Sequence, residues 1–250
     1  MAVIGGRLLH FAAVLNSGIR YFLYQQMEKM ARGPRLLRRI CPYLNFLFPD
    51  YFPRGNLLFV SIPRSASVAI TSALYGKHEP HLSMQFFRSY FPEGTKARKS
   101  FAVMRDPVDR FLSAYALAFH KKTGIVKVSA YWTTKYRNIH SVSDMLDFLA
   151  ARADNIDYLD HHMKTQSFYV TDPDSGAVIV DRRFRLETDQ AEIGALLAQF
   201  GASRPGRLNE SLPVDRGLSE TDRARIRALY AVDCALYESL ANRADLRAPM

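Results

Sequence analysis

The chain is poor in cysteine: Cys41 and Cys234 are its only two among 250 residues. They stand far apart and form no CxxC pattern, so they fit reduced, buried thiols rather than a disulfide framework. Also missing is any uncharged apolar run of the roughly eighteen residues that a spanning helix needs. Residues 1–24 are apolar but are broken by Arg7, His10, Asn16 and Arg20. The same segment lacks a clean apolar core and a small-residue cleavage site, which argues against a cleavable signal peptide. A cytoplasmic location, peripheral to a membrane at most, is the resulting expectation. Acidic residues are the minority, 24 Asp and Glu against 34 Lys and Arg, giving a formal net charge of +10. An anionic partner follows from that balance. No internal repeat and no low-complexity tract occurs.

What is present is enough apolar content, 48%, to bury one substantial core. We read residues 56–250 as one α/β domain and residues 1–55 as a basic amphipathic N-terminal segment. In that segment Lys29, Arg32, Arg35, Arg38 and Arg39 stand beside Leu36 and Leu37. It can pack on the domain as an amphipathic helix or rest on a membrane or another subunit as an interfacial one.

Along the chain, Asn56–Ile62 and Ser100–Met104 read as buried strands. Helices are expected over Val68–Tyr75, ended near Gly76, and from Pro107 to about Lys121, with Asp106 as cap. Val142–Ala153 reads as helical behind Ser141 or Ser143, and Asp189–Phe200 as a helix closed by Gly201. Ser167–Val170 and Ala177–Val180 are strand-like runs joined by the turn at Asp172–Gly176. One last helix begins at Ser219, with Asp222 three residues on, and continues through Leu240. Strands alternating with helices predict a three-layer, P-loop-like α/β fold with a central, mostly parallel sheet flanked by helices.

The first strand opens into Pro63-Arg64-Ser65-Ala66-Ser67, and a helix follows. Such a turn aims backbone N–H groups at an anion. It contains no glycine, so it is not the GxxxxGK[ST] loop, and a small-molecule kinase is disfavoured. It offers instead the Arg64 guanidinium, two hydroxyls and the start of a helix. At the end of the second strand, where ligands bind in open α/β sheets, stands Arg105. Ser113 follows two turns into the next helix and can join Arg105 at a second anion.

The pair Ser61-Ile-Pro-Arg-Ser-Ala-Ser-Val68 and Arg105-Asp-Pro-Val-Asp-Arg-Phe-Leu-Ser-Ala-Tyr115 resembles the two cofactor motifs of carbohydrate sulfotransferases of the membrane-associated, Golgi-type family 2. These enzymes use 3′-phosphoadenosine 5′-phosphosulfate (PAPS). The resemblance implies that Pro63, Arg64, Ser65, Ala66, Ser67 and Val68 grip the 5′-phosphosulfate, and that Arg105 and Ser113 grip the 3′-phosphate. Many relatives carry Lys where Arg64 stands. His81-Leu-Ser83 falls where such enzymes have a histidine segment. Asp160-His-His-Met-Lys-Thr-Gln166 resembles their Asp/Asn-x-His-x-x-Pro-Gln element, with Thr165 in place of proline. Arg185-Leu-Glu187, Asn209-Glu-Ser-Leu-Pro213 and Tyr230–Tyr237 resemble their C-terminal elements. The resemblance covers roughly residues 56–240.

Sulfuryl transfer of this kind needs in-line positioning, charge stabilisation and a base for the acceptor hydroxyl. Arg64 and the helix start would stabilise the leaving phosphate oxygen. His81 is the first choice of base, with Glu79 and His78 as competitors, and His161 and His162 can serve the acceptor side. No metal is expected. Asp233, on an otherwise apolar helix face, reads as the structural partner of a buried arginine, and Glu187 as an orienting group.

His120-Lys-Lys122, Lys127, Tyr131-Trp132, Lys135, Tyr136 and Arg137 interleave cations with aromatics. They suit a carbohydrate acceptor, including an acidic one, or a solvated loop. The same composition suits single-stranded nucleic acid, but no nucleic-acid motif accompanies it and none is expected to bind. A binding module without catalysis stays open; it would keep Arg105 and Ser113 and need no base at His81.

Overall fold

The computed structural model describes residues 17–47, 56–77, 79–119, 135–202 and 218–241. Three strands, β1 (Leu57–Val60), β2 (Lys99–Met104) and β3 (Arg182–Arg185), form a parallel sheet in that spatial order. In chain order the helices are α1 (Ser17–Arg32), α2 (Arg35–Arg38), α3 (Ser67–Tyr75), α4 (Met84–Tyr90), α5 (Pro92–Lys96) and α6 (Pro107–Phe119). They continue with α7 (Val142–Ala150), α8 (Ile156–Leu159), α9 (Gln166–Val170), α10 (Gln190–Gln199), α11 (Glu220–Leu229) and α12 (Ala231–Glu238). This is the expected α/β architecture.

Every residue of β1 is buried, and so is all of β2 after Lys99. Parallel strands covered on both faces read as near-continuous apolar runs, which is why these two were visible in the sequence. Their side chains alternate between two cores. Leu58, Val60, Ala102 and Met104 pack with Met27 of α1, Phe86 and Tyr90 of α4 and Phe168 of α9. Leu57, Phe59, Phe101 and Val103 pack on the other side with Ile70 of α3 and Ile193 and Leu197 of α10. A third cluster joins Phe111 of α6, Met145 of α7 and Ile226 of α11.

The sequence and structure part at three places. Ser167–Val170 is not a strand but most of α9, and beyond it Thr171 makes a single antiparallel bridge to Val178. The helix wins because its start is capped twice. Thr165 Oγ1 accepts from Phe168 N, and the Asp233 carboxylate accepts from Gln166 N (2.6 Å) and Ser167 N (2.8 Å). Secondly, β3 reads Arg-Arg-Phe-Arg, with only Arg183 and Phe184 buried, so it carries no apolar run to find. Finally, the last helix is two: it breaks at Tyr230 (φ −110°, ψ 35°), whose hydroxyl donates to Met163 O at 2.8 Å.

Elsewhere the caps are as expected. Asp106 Oδ1 accepts from Val108 N and Asp109 N, Ser141 forms a capping box with Asp144, and Gly76 and Gly201 take positive φ. The continuation of α6 toward Gly124 lies outside the described residues.

Asp233 and Arg110 are both fully buried, with Arg110 Nη2 4.0 Å from Asp233 Oδ2. Arg110 also donates to the carbonyls of His162 (3.1 Å) and Lys164 (2.6 Å). Asp233→Ala would strand this guanidinium and uncap α9. Removing one partner of a buried pair costs about 3–5 kcal/mol, and urea denaturation of Asp233→Ala should show a loss of that order.

Candidate active site

Beyond β1 the chain turns through Ser61–Ala66 into α3. Arg64 (φ 68°) and Ala66 (φ 57°) are the non-glycine residues with positive φ among the described ones. Left-handed backbone costs an L-residue about 1–2 kcal/mol, and such strain concentrates at functional turns. The loop thus achieves without glycine the backbone reversal that phosphate loops ordinarily take from it. Ala66 makes no side-chain cap, so the first N–H groups of the nine-residue α3 have no side-chain acceptor. Ser65 is fully buried, and its Oγ has no hydrogen-bond partner. Both features suit a bound oxyanion.

The two motifs meet at Arg64. Its Nε and Nη2 donate to Ser113 Oγ at 2.9 and 2.7 Å, and its carbonyl accepts from Arg105 Nη1 at 3.4 Å. Arg64 pairs with no carboxylate among the described residues. Burial and the neighbouring Arg105 cation both push its pKa down. Burial also lowers that of Arg105, opposed by Asp109, Glu187 and Asp106. Two like charges converge at half-buried positions, where an anion would relieve them.

The backbone of Arg105 is held from both sides by Gln166. Arg105 N donates to Gln166 Oε1 (3.0 Å), and Gln166 Nε2 donates to Arg105 O (2.8 Å). Glu187 Oε1 accepts from Asp106 N at 3.1 Å and lies 3.9 Å from Arg105 Nε, while its Oε2 accepts from Tyr237 OH at 2.7 Å. Glu187 therefore orients the Arg105 turn, as expected. The part played by Gln166 was not read from the sequence, although it closes a motif quoted above. Arg110, three residues from Ser113, is spent on carbonyls and Asp233.

His81 Nδ1 lies 3.1 Å from the Ser61 carbonyl and 2.9 Å from Ser61 Oγ. A carbonyl only accepts, so this contact suits a hydrogen on Nδ1, while the Ser61 hydroxyl can pair with either tautomer. Ser61 thereby ties the imidazole to the first residue of the anion loop. His161 stacks on His81 at 5.7 Å between ring centres, and His162 meets it edge-on at 6.3 Å. Burial, then His162, holds the His161 pKa well below 6.5, so this imidazole is neutral at physiological pH. Buried Asp160 lies 3.4 Å from His162 Nδ1 and 3.9 Å from His161 Nδ1. Asp160, His161 and His162 each offer one donor atom within 4.8 Å of the others. Three adjacent residues thus supply one candidate ligand set beside His81.

The segment carrying His81 is anchored from below. Glu28, buried on α1, accepts from Ser83 N (2.5 Å) and Ser83 Oγ (2.8 Å), while Ser83 caps α4 through Phe86 N. The N-terminal helix thus supports the histidine segment, a link that nothing in its sequence announced. Glu79, the competing base, instead pairs with Lys77 Nζ at 3.0 Å. His78 lies outside the described residues, as do 120–134 and Asn209–Pro213. Tyr136 cannot stack on a sugar: it is 3% exposed and packs edge-on against Phe148 at 5.6 Å. Pro63, Ser67 and Val68 sit on the loop and α3 as expected, with Val68 exposed.

The family model of the sulfotransferase family matches residues 50–238, the span that contains both cationic motifs and the three histidines. The chain belongs to the sulfotransferase family. The sulfotransferase is thus a transferase whose chemistry is sulfuryl transfer, built on a parallel sheet with helices on both faces. No curated protein and no solved structure matches its chain.

The strained loop gives a direct test. Ala66→Gly should relieve the left-handed backbone and raise stability by up to about 1 kcal/mol, read as a higher denaturation midpoint. An unchanged or lowered midpoint would contradict the strain.

Proposed function

We propose that this sulfotransferase moves the sulfuryl group of PAPS to a hydroxyl of a carbohydrate acceptor. The observation that carries the reading is Arg64: a half-buried guanidinium on a strained loop, without a carboxylate among the described residues, beside a second cation. Backbone N–H groups at the start of α3, Ser65 Oγ and Arg64 converge where the 5′-phosphosulfate would lie. Arg105 and Ser113, joined through Arg64, would hold the 3′-phosphate. The fit is chemical as well as geometric, since planar guanidinium and hydroxyl donors match tetrahedral oxyanions.

In this scheme His81 Nε2 takes the proton of the acceptor hydroxyl as the hydroxyl oxygen attacks sulfur. A hydrogen on Nδ1, given to the Ser61 carbonyl, would leave Nε2 as the base that this role requires. As the bond from sulfur to the phosphate oxygen breaks, Arg64 and the helix start stabilise the charge left on that oxygen. His161 and His162, beside His81, would face the incoming hydroxyl. The sum calls for positioning and charge stabilisation, with one proton moved. The carbohydrate class rests on resemblance to carbohydrate sulfotransferases and on the cation–aromatic composition of residues 120–135.

Three measurements test this. Arg105→Ala should weaken binding of adenosine 3′,5′-bisphosphate about tenfold or more, the usual worth of a charge-assisted hydrogen bond. His81→Ala should keep that binding and lose about a hundredfold or more in kcat. Wild-type kcat on His81→Ala would remove the base assignment. ATP binding without bisphosphate binding would overturn the donor.

A further inference from the structure

The reaction uses nothing on the outer surface of residues 22–43, yet that surface is unusual. Nine large hydrophobic side chains are exposed among the described residues, and six fall here: Phe22, Leu23, Leu36, Leu37, Ile40 and Tyr43. Leu36 and Tyr43 are 74% and 79% exposed. Scattered apolar side chains need no explanation, but a concentration within one short segment marks an interaction surface.

Cations alternate with these side chains. Arg35, Arg38 and Arg39 follow the same turns, and together with Arg88 of α4 they line a recess of about 330 Å³. Asp174 holds Arg35 (3.1 Å) and Arg38 (2.6 Å). Asp172, also on the recess, is engaged by the backbone N–H groups of Asp174 and Ser175. Arg39 and Arg88 are exposed and pair with no carboxylate among the described residues.

We propose that this face docks the enzyme on an anionic membrane surface. Leu36, Leu37, Ile40 and Tyr43 enter the boundary between headgroups and acyl chains, and Arg39 and Arg88 meet lipid phosphates. The charge pattern selects this occupant. A second copy would set the same uncompensated arginines against each other, which like charges resist. A soluble polyanion would satisfy the arginines and leave the apolar side chains in water. No helix among the described residues is long and apolar enough to cross a membrane, so the contact is interfacial.

Co-sedimentation of the full chain with vesicles tests this, comparing pure phosphatidylcholine with phosphatidylcholine containing phosphatidylserine. The wild type should prefer the anionic vesicles at least about tenfold and lose that preference as salt rises. Leu36→Ser with Ile40→Ser, and separately Arg39→Glu with Arg88→Glu, should each weaken binding about tenfold or more. Both double variants should bind adenosine 3′,5′-bisphosphate like the wild type, which separates lost docking from lost folding and from failure of the proposed chemistry. Equal binding to both vesicles would overturn the proposal, and so would a loss confined to the arginine variant. Light scattering that shows a dimer dissolved by the leucine–isoleucine variant, without vesicle binding, would assign the face to a second copy instead.

Discussion

One buried carboxylate, Asp233, ties the C-terminal helix to both halves of the site. It caps Gln166 and Ser167 at the start of α9 and lies beside Arg110. Gln166 in turn clamps the backbone of Arg105, while Arg110 holds the carbonyls of His162 and Lys164. The cation at the end of β2 and the histidines facing His81 are thus positioned by one network. Burial raises the Asp233 pKa, opposed by Arg110 and the two backbone donors. A buried ion pair is weak evidence of net stability; its worth here is that three separate segments take one arrangement.

The anion loop shows the opposite economy, because it accepts unfavourable terms. Two residues hold left-handed backbone, and two guanidinium groups approach without a carboxylate on Arg64. Each of these costs folding energy, and an oxyanion at the start of α3 would relieve the convergence of charge. Strained backbone beside uncompensated charge is the kind of departure from local preference that a binding site shows.

Much of this was legible beforehand because its physics is local. Buried parallel strands show as apolar runs, Asp106, Ser141 and Ser219 show as caps, and Arg64, Arg105 and Ser113 lie in compact motifs. What the sequence concealed depends on distant partners. Ser167–Val170 has strand-like side chains, but Asp233, over sixty residues away, supplies the cap that makes it helical. β3 has three arginines around Phe184 and pairs as a strand on the edge that β2 offers. Glu28 on the N-terminal helix reaches Ser83 across a gap that no motif spans. Nor does spacing reveal that His81, His161 and His162 meet, since the first belongs to the segment after α3 and the others precede α9.

The central claim is that two cationic motifs, joined at Arg64, recognise a nucleotide carrying phosphate groups at both ends of its ribose. Calorimetric titration with adenosine 3′,5′-bisphosphate against adenosine 5′-monophosphate isolates that claim, because the two ligands differ only in the 3′-phosphate. The account predicts at least about tenfold tighter binding of the bisphosphate, the scale of one charge-assisted contact. Equal affinities would contradict it.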